Sequence, residues 1–248
     1  MVETTGNRKM QIHTTDKPFN VTKKQVYEAY KAVKSNAGAA GVDGPTIEQF
    51  DSDLRNNLYK LWNRMSSGSY FPPPVRAVSI PKKTGGQRIS GVPTVADRVA
   101  QMVVKQLIEP DLDPIFLAES YGYRPRKSAL DAIGVTRNRC WKYDWVLEFD
   151  IKGLFDSVDH GWLMRMLAHR IAEPRVLRLI KRWLEAGVLE SGQWRPVESG
   201  TPQGSGVSPI LANVFLHYVV DLWVHQWRRR RAAGTVIVCR CAADMVFG

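Results

Sequence analysis

The stretch WVLEFDIKGLFDSVDH, residues 145–160, is where a reading of this chain has to start. Its first part, residues 145–151, is an apolar run of strand length with the character of a buried strand. It delivers Asp150 at its end, where a carboxylate meets solvent or a metal ion. Magnesium takes hard oxygen ligands, commonly one or two carboxylates completed by phosphate oxygens. Phosphoryl transfer to a hydroxyl often uses two such ions, one at the attacking oxygen and one at the leaving oxygen. A strand-end aspartate suits that work, but aspartates also begin ordinary turns. Phe155 can sit under a sugar ring or simply fill a core. Context decides between these readings.

Downstream, helices are predicted around residues 159–170 and 174–187. SGTPQGSGVSP (199–209) is then a glycine- and proline-rich loop leading into a long helix, about residues 209–231. Its glycines let a substrate approach the backbone, Gln203 adds an amide, and the dipole at the helix start favours anions. That helix carries Trp223 and Trp227 and ends in RRRR (228–231), which can meet RNA phosphates or merely complement the helix dipole. GTVIVCR (234–240) is a β-branched strand, followed by CAADMVFG. The return strand is expected to be only begun, leaving a hairpin with one arm.

Upstream, VRAVSIPK and ISGVP read as strands around the turn KKTGGQR (82–88). Lys82, Lys83 and Arg88 flank its glycines and can clamp a triphosphate, or can be a solvated basic turn. Residues 94–109 form an amphipathic helix expected to end before Pro110, and residues 126–139 another. Residues 1–20 are polar and read as loose. Thr22 is the expected cap of a helix with Val26, Ala29, Tyr30 and Val33 on one face. After GAAGVDG (38–44), Thr46 opens a second helix carrying Ile47, Phe50, Leu54, Leu58 and Leu61.

The 248 residues are 44% hydrophobic, enough for one large domain or two joined lobes. Thirty-five Lys and Arg against 24 Asp and Glu give +11, which favours polyanionic partners, nucleic acid above all. The three cysteines form no CxxC pair, so neither a zinc site nor a disulfide framework is indicated. A reduced, cytoplasmic setting is expected. The N-terminus has no apolar signal region, and no apolar run approaches the ~18 residues of a membrane span. The histidines show no metal-ligand spacing, and the eight tryptophans read mostly as core or packing residues.

Four segments together go further: IPKKTGGQRISGVPTVADRVAQ (80–101), ESYGYRPRKSALDAI (119–133), FDIKGLFDSVDH (149–160) and SGTPQGSGVSPILANVFLHYVVD (199–221). In this order they resemble the reverse transcriptases of group II introns, also called maturases. NAGAAGVDGPTIEQF (36–50) is similar to the N-terminal extension of that group. The resemblance implies an α+β right-hand polymerase whose fingers and partial palm, an antiparallel sheet with packed helices, lie in this chain; the rest of the palm and the helical thumb that the family continues into are expected to be absent from it. It implies a flexible N-terminus over 1–21, fingers with the N-terminal extension over 22–140, and a partial palm over 141–248. The implied partners are an RNA template, a DNA primer, deoxynucleotides and group II intron RNA; no membrane is implied. The implied cofactor is Mg²⁺, as two ions. By position Asp150 resembles the first metal aspartate, with Ile151 offering its carbonyl. Lys82 and Arg88 resemble the triphosphate contacts, Phe155 the gate against a ribose 2′-hydroxyl, and Gln203 the glutamine of the nucleotide pocket. Arg124 and Arg126, with Arg228 and Arg229, are candidate nucleic-acid contacts.

One place departs from the family. Its second metal motif reads Tyr-Ala-Asp-Asp, whereas this chain reads Cys241, Ala242, Ala243, Asp244. The first aspartate, expected to bridge both ions, is Ala243; only Asp244 remains to join Asp150 as a catalytic carboxylate. Metal stabilisation is worth several kcal/mol, so a loss of ~10³-fold or more in rate is predicted. Three explanations are open: a deliberate knockout, a decayed intron copy, or a protein that retains only RNA binding. The functional alternatives are therefore an impaired RNA-directed DNA polymerase and an inactive protein that grips intron RNA.

Overall fold

The computed structural model describes residues 21–81, 85, 87–201 and 204–248, with only the backbone at Arg88. Helix α1 (Lys23–Ser35) begins at the expected cap. The Gln25 N–H donates to Thr22 Oγ1 at 3.1 Å, and the Thr22 N–H donates to Gln25 Oε1 at 2.8 Å. Thr46 caps the next helix in the same way. The single helix expected there is two, α2 (Ile47–Ser52) and α3 (Leu54–Ser67), broken at Asp53 with φ −126° and ψ 43°. Local side chains stabilise the break: Asn56 Nδ2 donates to Asp53 Oδ1 at 2.8 Å, and Asn57 Nδ2 donates to the Phe50 carbonyl at 3.0 Å. Asp and Asn thus offer the backbone an alternative to continuing the helix.

Strands β1 (Val75–Pro81) and β2 (Gln87–Val92) form the expected antiparallel hairpin. Helix α4 (Val95–Leu112) does not stop before Pro110; it runs through it into a 3₁₀ turn, Asp113–Ile115. Proline's fixed φ is itself helical, and this close to the end it forfeits one backbone bond. There follow α5 (Ala129–Cys140), β3 (Leu147–Asp150), α6 (Leu154–Ser157), α7 (His160–Arg170) and α8 (Pro174–Glu185). Strands β4 (Val188–Glu190) and β5 (Gln193–Arg195) form a hairpin too short to show in hydrophobic alternation. Its turn residues Ser191 and Gly192 have φ 50° and 80°, as a tight two-residue turn requires. The long helix after the 199–209 loop consists of α9 (Ser208–Leu216), a π-helical turn (His217–Asp221) and α10 (Leu222–Arg230). Strands β6 (Val238–Cys241) and β7 (Asp244–Phe247) complete the chain.

The strands make two sheets, one of order β2-β1-β4-β5 with β1 and β4 parallel, the other antiparallel of order β3-β7-β6. The hairpin expected to have one arm has both, because β7 pairs along its whole length with β6 on one side and β3 on the other. One apolar core runs through α1, α3, α4, α7, α8 and α9, so it crosses the expected boundary at residues 140 and 141.

β3 is not the buried strand expected. All four of its residues are exposed, because it lies at a sheet edge and nothing among the described residues covers its apolar face. Trp145, Leu147, Phe149 and Phe247 line an open groove of about 350 Å³ with Trp223 and Trp227 of α10. The expectation of mostly packed tryptophans fails with it: Trp141, Trp145, Trp162, Trp194, Trp223 and Trp227 are all exposed, while Trp183 is buried. Among the described residues no helix is long and apolar enough to cross a membrane.

Two buried titratable groups oppose each other in their effect on stability. Burial pushes the Asp97 carboxyl up to about 6, against the hydrogen bonds from Trp183, Tyr70 and Gln101 and with the Asp43 charge adding to the rise. Burial pushes His217 down to about 4; Asp221 pulls it up, while Arg170, Arg240 and Arg124 press it down. Between about pH 4 and 6 the folded state holds a proton on Asp97 that the unfolded chain has released, so this group loses stability as pH rises. The unfolded chain holds a proton on His217 that the folded state refuses, so this group loses stability as pH falls. Each contribution is of order 3 kcal/mol, so the two nearly cancel. Urea midpoints at pH 4.5 and 7 test this. Asp97→Asn should leave a protein markedly weaker at pH 4.5, and His217→Gln one that is weaker at pH 7. Parallel pH profiles for the two variants would refute the assignment.

Candidate active site

The site lies where β3 meets the β6–β7 hairpin. Asp150 and Asp244 are direct cross-strand partners in the β3–β7 ladder, so both carboxylates project from one face of the sheet. Both are exposed. The turn between β6 and β7 is Ala242–Ala243, and Ala242 has φ 57°, a left-handed backbone that costs a residue with a Cβ about 1 kcal/mol. The Ile151 N–H donates to the Ala243 carbonyl at 3.2 Å, which extends the ladder past Asp150. Ala243, like Ile151 and Phe155, packs on a small apolar cluster of Leu154, Ala212 and Leu216. The paired carboxylates and the Ile151 carbonyl are hard oxygen donors of the kind magnesium takes. Among the described residues there is no group of three or more His, Cys, Asp or Glu that could hold a metal.

Beneath the turn lies Arg240, 1% exposed. Its Nε and Nη2 donate to the two oxygens of Asp221 at 2.7 and 2.6 Å. Nη2 also donates to Ser120 Oγ at 2.8 Å, and Nη1 to Asn213 Oδ1 at 3.3 Å and the Ala242 carbonyl at 3.2 Å. Every N–H of the guanidinium is engaged, and one bond ends on the β6–β7 turn itself. The π-helical turn helps: both His217 and Asp221, its first and last residues, are buried. The segment 119–122 runs beside β6, with the Tyr121 N–H donating to the Arg240 carbonyl at 2.8 Å. Asn213 Nδ2 donates to the Gly122 carbonyl at 2.7 Å. A Cβ at Gly122 would lie 2.3 Å from the Ala242 nitrogen, so only glycine lets the two turns touch. This network escaped sequence reading. Its one signal is an arginine inside an otherwise apolar strand, since arginine is almost never fully buried unpaired.

Phe155 packs on the same apolar cluster as Ala243 and is half-buried, with its ring edge-on to Tyr123 at 6.2 Å. Tyr123 is exposed and has φ 55°. The 199–206 loop is tied to the same place: the Thr201 N–H donates to the Phe155 carbonyl at 2.6 Å and the Gly200 N–H to the Val158 carbonyl at 2.7 Å. His160 adds a 2.6 Å bond to the Gly200 carbonyl. Lys82 and Gln203 lie outside the described residues, as does the side chain of Arg88. The backbone of Arg88 pairs with Ile80 in the β1–β2 hairpin.

The candidate nucleic-acid arginines divide. Arg124 is turned inward: it donates to Asp113 Oδ1 at 2.7 Å and to the carbonyls of Asp113, Leu117 and Ser120. Arg228 pairs with Glu119 at 2.7 Å. Arg126 and Arg229 are exposed.

Residues 80–247 match the family described as reverse transcriptase (RNA-dependent DNA polymerase). The chain is 36% identical over 194 residues to the group II intron-encoded protein LtrA of Lactococcus lactis subsp. cremoris, a match covering 77% of this chain and 32% of that protein. It is 35% identical over 211 residues to protein YkfC of Escherichia coli K12, covering 80% of this chain and 54% of that one. The chain thus spans about a third to a half of the length of these relatives. Among solved structures, a chain of a partial Cas6-RT-Cas1–Cas2 complex superposes with a TM-score of 0.53 at 22% identity, over 91% of this chain and 36% of that one; the likeness is one of fold.

Proposed function

The chain belongs to the reverse transcriptase (RNA-dependent DNA polymerase) family, in its group II intron-encoded branch, and on that premise we propose that it is a maturase-type polymerase domain impaired at one carboxylate. The observation that carries this reading is the cross-strand pairing of Asp150 with Asp244. RNA template and DNA primer are held by a chain of net charge +11, to which Arg126 and Arg229 contribute exposed guanidinium groups. Arg124 and Arg228 keep their internal pairs and support the fold around the site.

The incoming deoxynucleotide is held by Lys82 and Arg88 at its phosphates, by Gln203, and by Phe155 under its sugar. The Phe155 backbone is pinned by Thr201, so its ring cannot retreat far from an added 2′-hydroxyl; this is the physical basis proposed for choosing deoxyribose. Asp150, Asp244 and the Ile151 carbonyl are the groups that hold Mg²⁺, with two ions as the family's number. Bound Mg²⁺ supplies charge neutralisation for the attacking and leaving oxygens. Fingers over residues 22–140 and palm over 141–248 remain the proposed division, with one shared core between them. The proposed partners extend to intron RNA and the proposed location is the cytoplasm.

The test is binding and single-nucleotide extension on an RNA-templated DNA primer. Binding should weaken steeply between low and moderate salt, as counterion release requires. Extension should be slow and should vanish in Asp150→Asn, while RNA affinity stays the same. Absence of RNA binding at low salt would sink the proposal. Extension indifferent to Asp150→Asn would leave RNA gripping as the function.

A further inference from the structure

We propose that Asp97 and Gln101 of α4 are positioning residues that hold the loop at Ser205 and Gly206 through a chain of hydrogen bonds whose directions, from Gly206 to Asp97, are fixed. The inference rests on reading that loop as part of the nucleotide pocket.

The loop is suspended from three sides. Gly200 and Thr201 bond to the α6 region. Gly204 packs on β2 so closely that a Cβ would lie 2.5 Å from the Gly91 carbonyl oxygen. Beyond it, the Gly206 N–H donates to Gln101 Oε1 at 2.8 Å and Ser205 Oγ donates to the same oxygen at 2.9 Å. Gln101 and Asp97 are each 1% exposed. Gln101 Nε2 donates to Asp97 Oδ2 at 3.0 Å. Asp97 Oδ1 accepts from Trp183 Nε1 at 2.7 Å and from the Tyr70 hydroxyl at 2.8 Å.

The direction of each link follows from chemistry. A backbone N–H can only donate, so the Gln101 atom facing Gly206 must be its oxygen. The amide nitrogen then faces Asp97, and it too can only donate. The Trp183 indole N–H is likewise a donor only. Asp97 must therefore accept at both oxygens, and its carboxylate sets which way the Gln101 amide points. Among the described residues Asp97 makes no bond to the loop; it acts through Gln101.

Asp97→Asn is nearly isosteric and breaks the logic at one link. If Oδ1 continues to serve Trp183 and Tyr70, the new Asn N–H meets the Gln101 N–H. Turning the Gln101 amide over relieves that conflict but sets an N–H against the Gly206 N–H. Turning the new Asn amide over instead sets its N–H against the Trp183 N–H. Every arrangement opposes two donors somewhere in the chain, so the anchor of the loop is weakened, two residues removed from the substitution.

Amide hydrogen exchange on the intact chain reads this directly. Asp97→Asn should speed exchange at Gly206 by about tenfold to a hundredfold, while amides in the middle of α4 keep their protection. Gln101→Met should do the same, and adding Asp97→Asn to it should bring no further acceleration at Gly206, because the link between them is gone. Affinity for Mg²⁺–dTTP should fall about tenfold in each variant. Unchanged exchange at Gly206 in Asp97→Asn, or equal acceleration along all of α4, overturns the relay. Faster exchange at Gly206 with unchanged dTTP affinity leaves the relay standing and overturns the assignment of this loop to the nucleotide pocket.

Discussion

Ala243→Asp is expected to raise RNA-templated single-nucleotide extension by ~10³-fold, the largest change any single substitution in this chain should produce. Position 243 is bonded through its carbonyl to the Ile151 N–H, and Asp150 and Asp244 already face each other across the ladder. The new carboxylate therefore completes a three-acid set around the proposed Mg²⁺ position. Metal stabilisation of several kcal/mol, at about 1.4 kcal/mol per tenfold, sets the size of the effect. The backbone accepts the change: the left-handed residue of the turn is Ala242, not Ala243. Three carboxylates in one place repel one another without a cation. The variant should accordingly be less stable than the parent in EDTA and gain more melting temperature on adding Mg²⁺. Single-turnover extension and melting with and without Mg²⁺ decide the matter. A gain under tenfold in a folded variant, with no added response to Mg²⁺, would mean that 243 is not a metal position in this chain.

The second large effect is on stability. Arg240→Met removes a guanidinium whose every N–H is engaged and strands the Asp221 carboxylate, only 8% exposed, without its partner. Breaking a buried ion pair from one side costs about 3–5 kcal/mol, a large part of the ~5–15 kcal/mol that keeps a domain folded. The double variant Arg240→Met with Asp221→Leu removes both charges and should regain most of that loss. It does not restore the bonds to Ser120, Asn213 and the Ala242 carbonyl. Urea unfolding should therefore show recovery in the double variant, whereas the Mg²⁺-dependent gain from Ala243→Asp should stay diminished when added to it. A cost below about 1 kcal/mol for Arg240→Met would show that the network contributes little.

These expectations differ in where they were visible. The Asp150 strand end, the glycine-rich loop and the altered 241–244 turn stand in the chain as local patterns, because strand ends, turns and caps are decided by neighbouring residues. The capping boxes at Thr22 and Thr46 are local in the same sense. The break at Asp53 was also local, but side chains three and four residues on, Asn56 and Asn57, stabilise it where the apolar spacing suggested continuity.

What lay beyond sequence reading depends on partners far apart in the chain. Arg240 looks like a strand flank until Asp221, Asn213 and Ser120 are brought around it, the last from 120 positions away. Arg124 looks like a basic surface residue until Asp113 and three carbonyls turn it inward. Gln101 carries no signal at all, because its meaning is the oxygen it presents to Ser205 and Gly206, more than a hundred positions on.

By itself the sequence determined the family, most of the longer helices, the β1–β2 hairpin and the alanine at 243, since residue identity and short-range spacing carry them. Tertiary structure alone decided which polar groups are buried and therefore must be paired. It sorted inward arginines from outward ones, and set β3 at a sheet edge with its apolar face open. Burial is a property of the assembled chain, and the demand that a buried charge find its partner arises only once the distant segments have met.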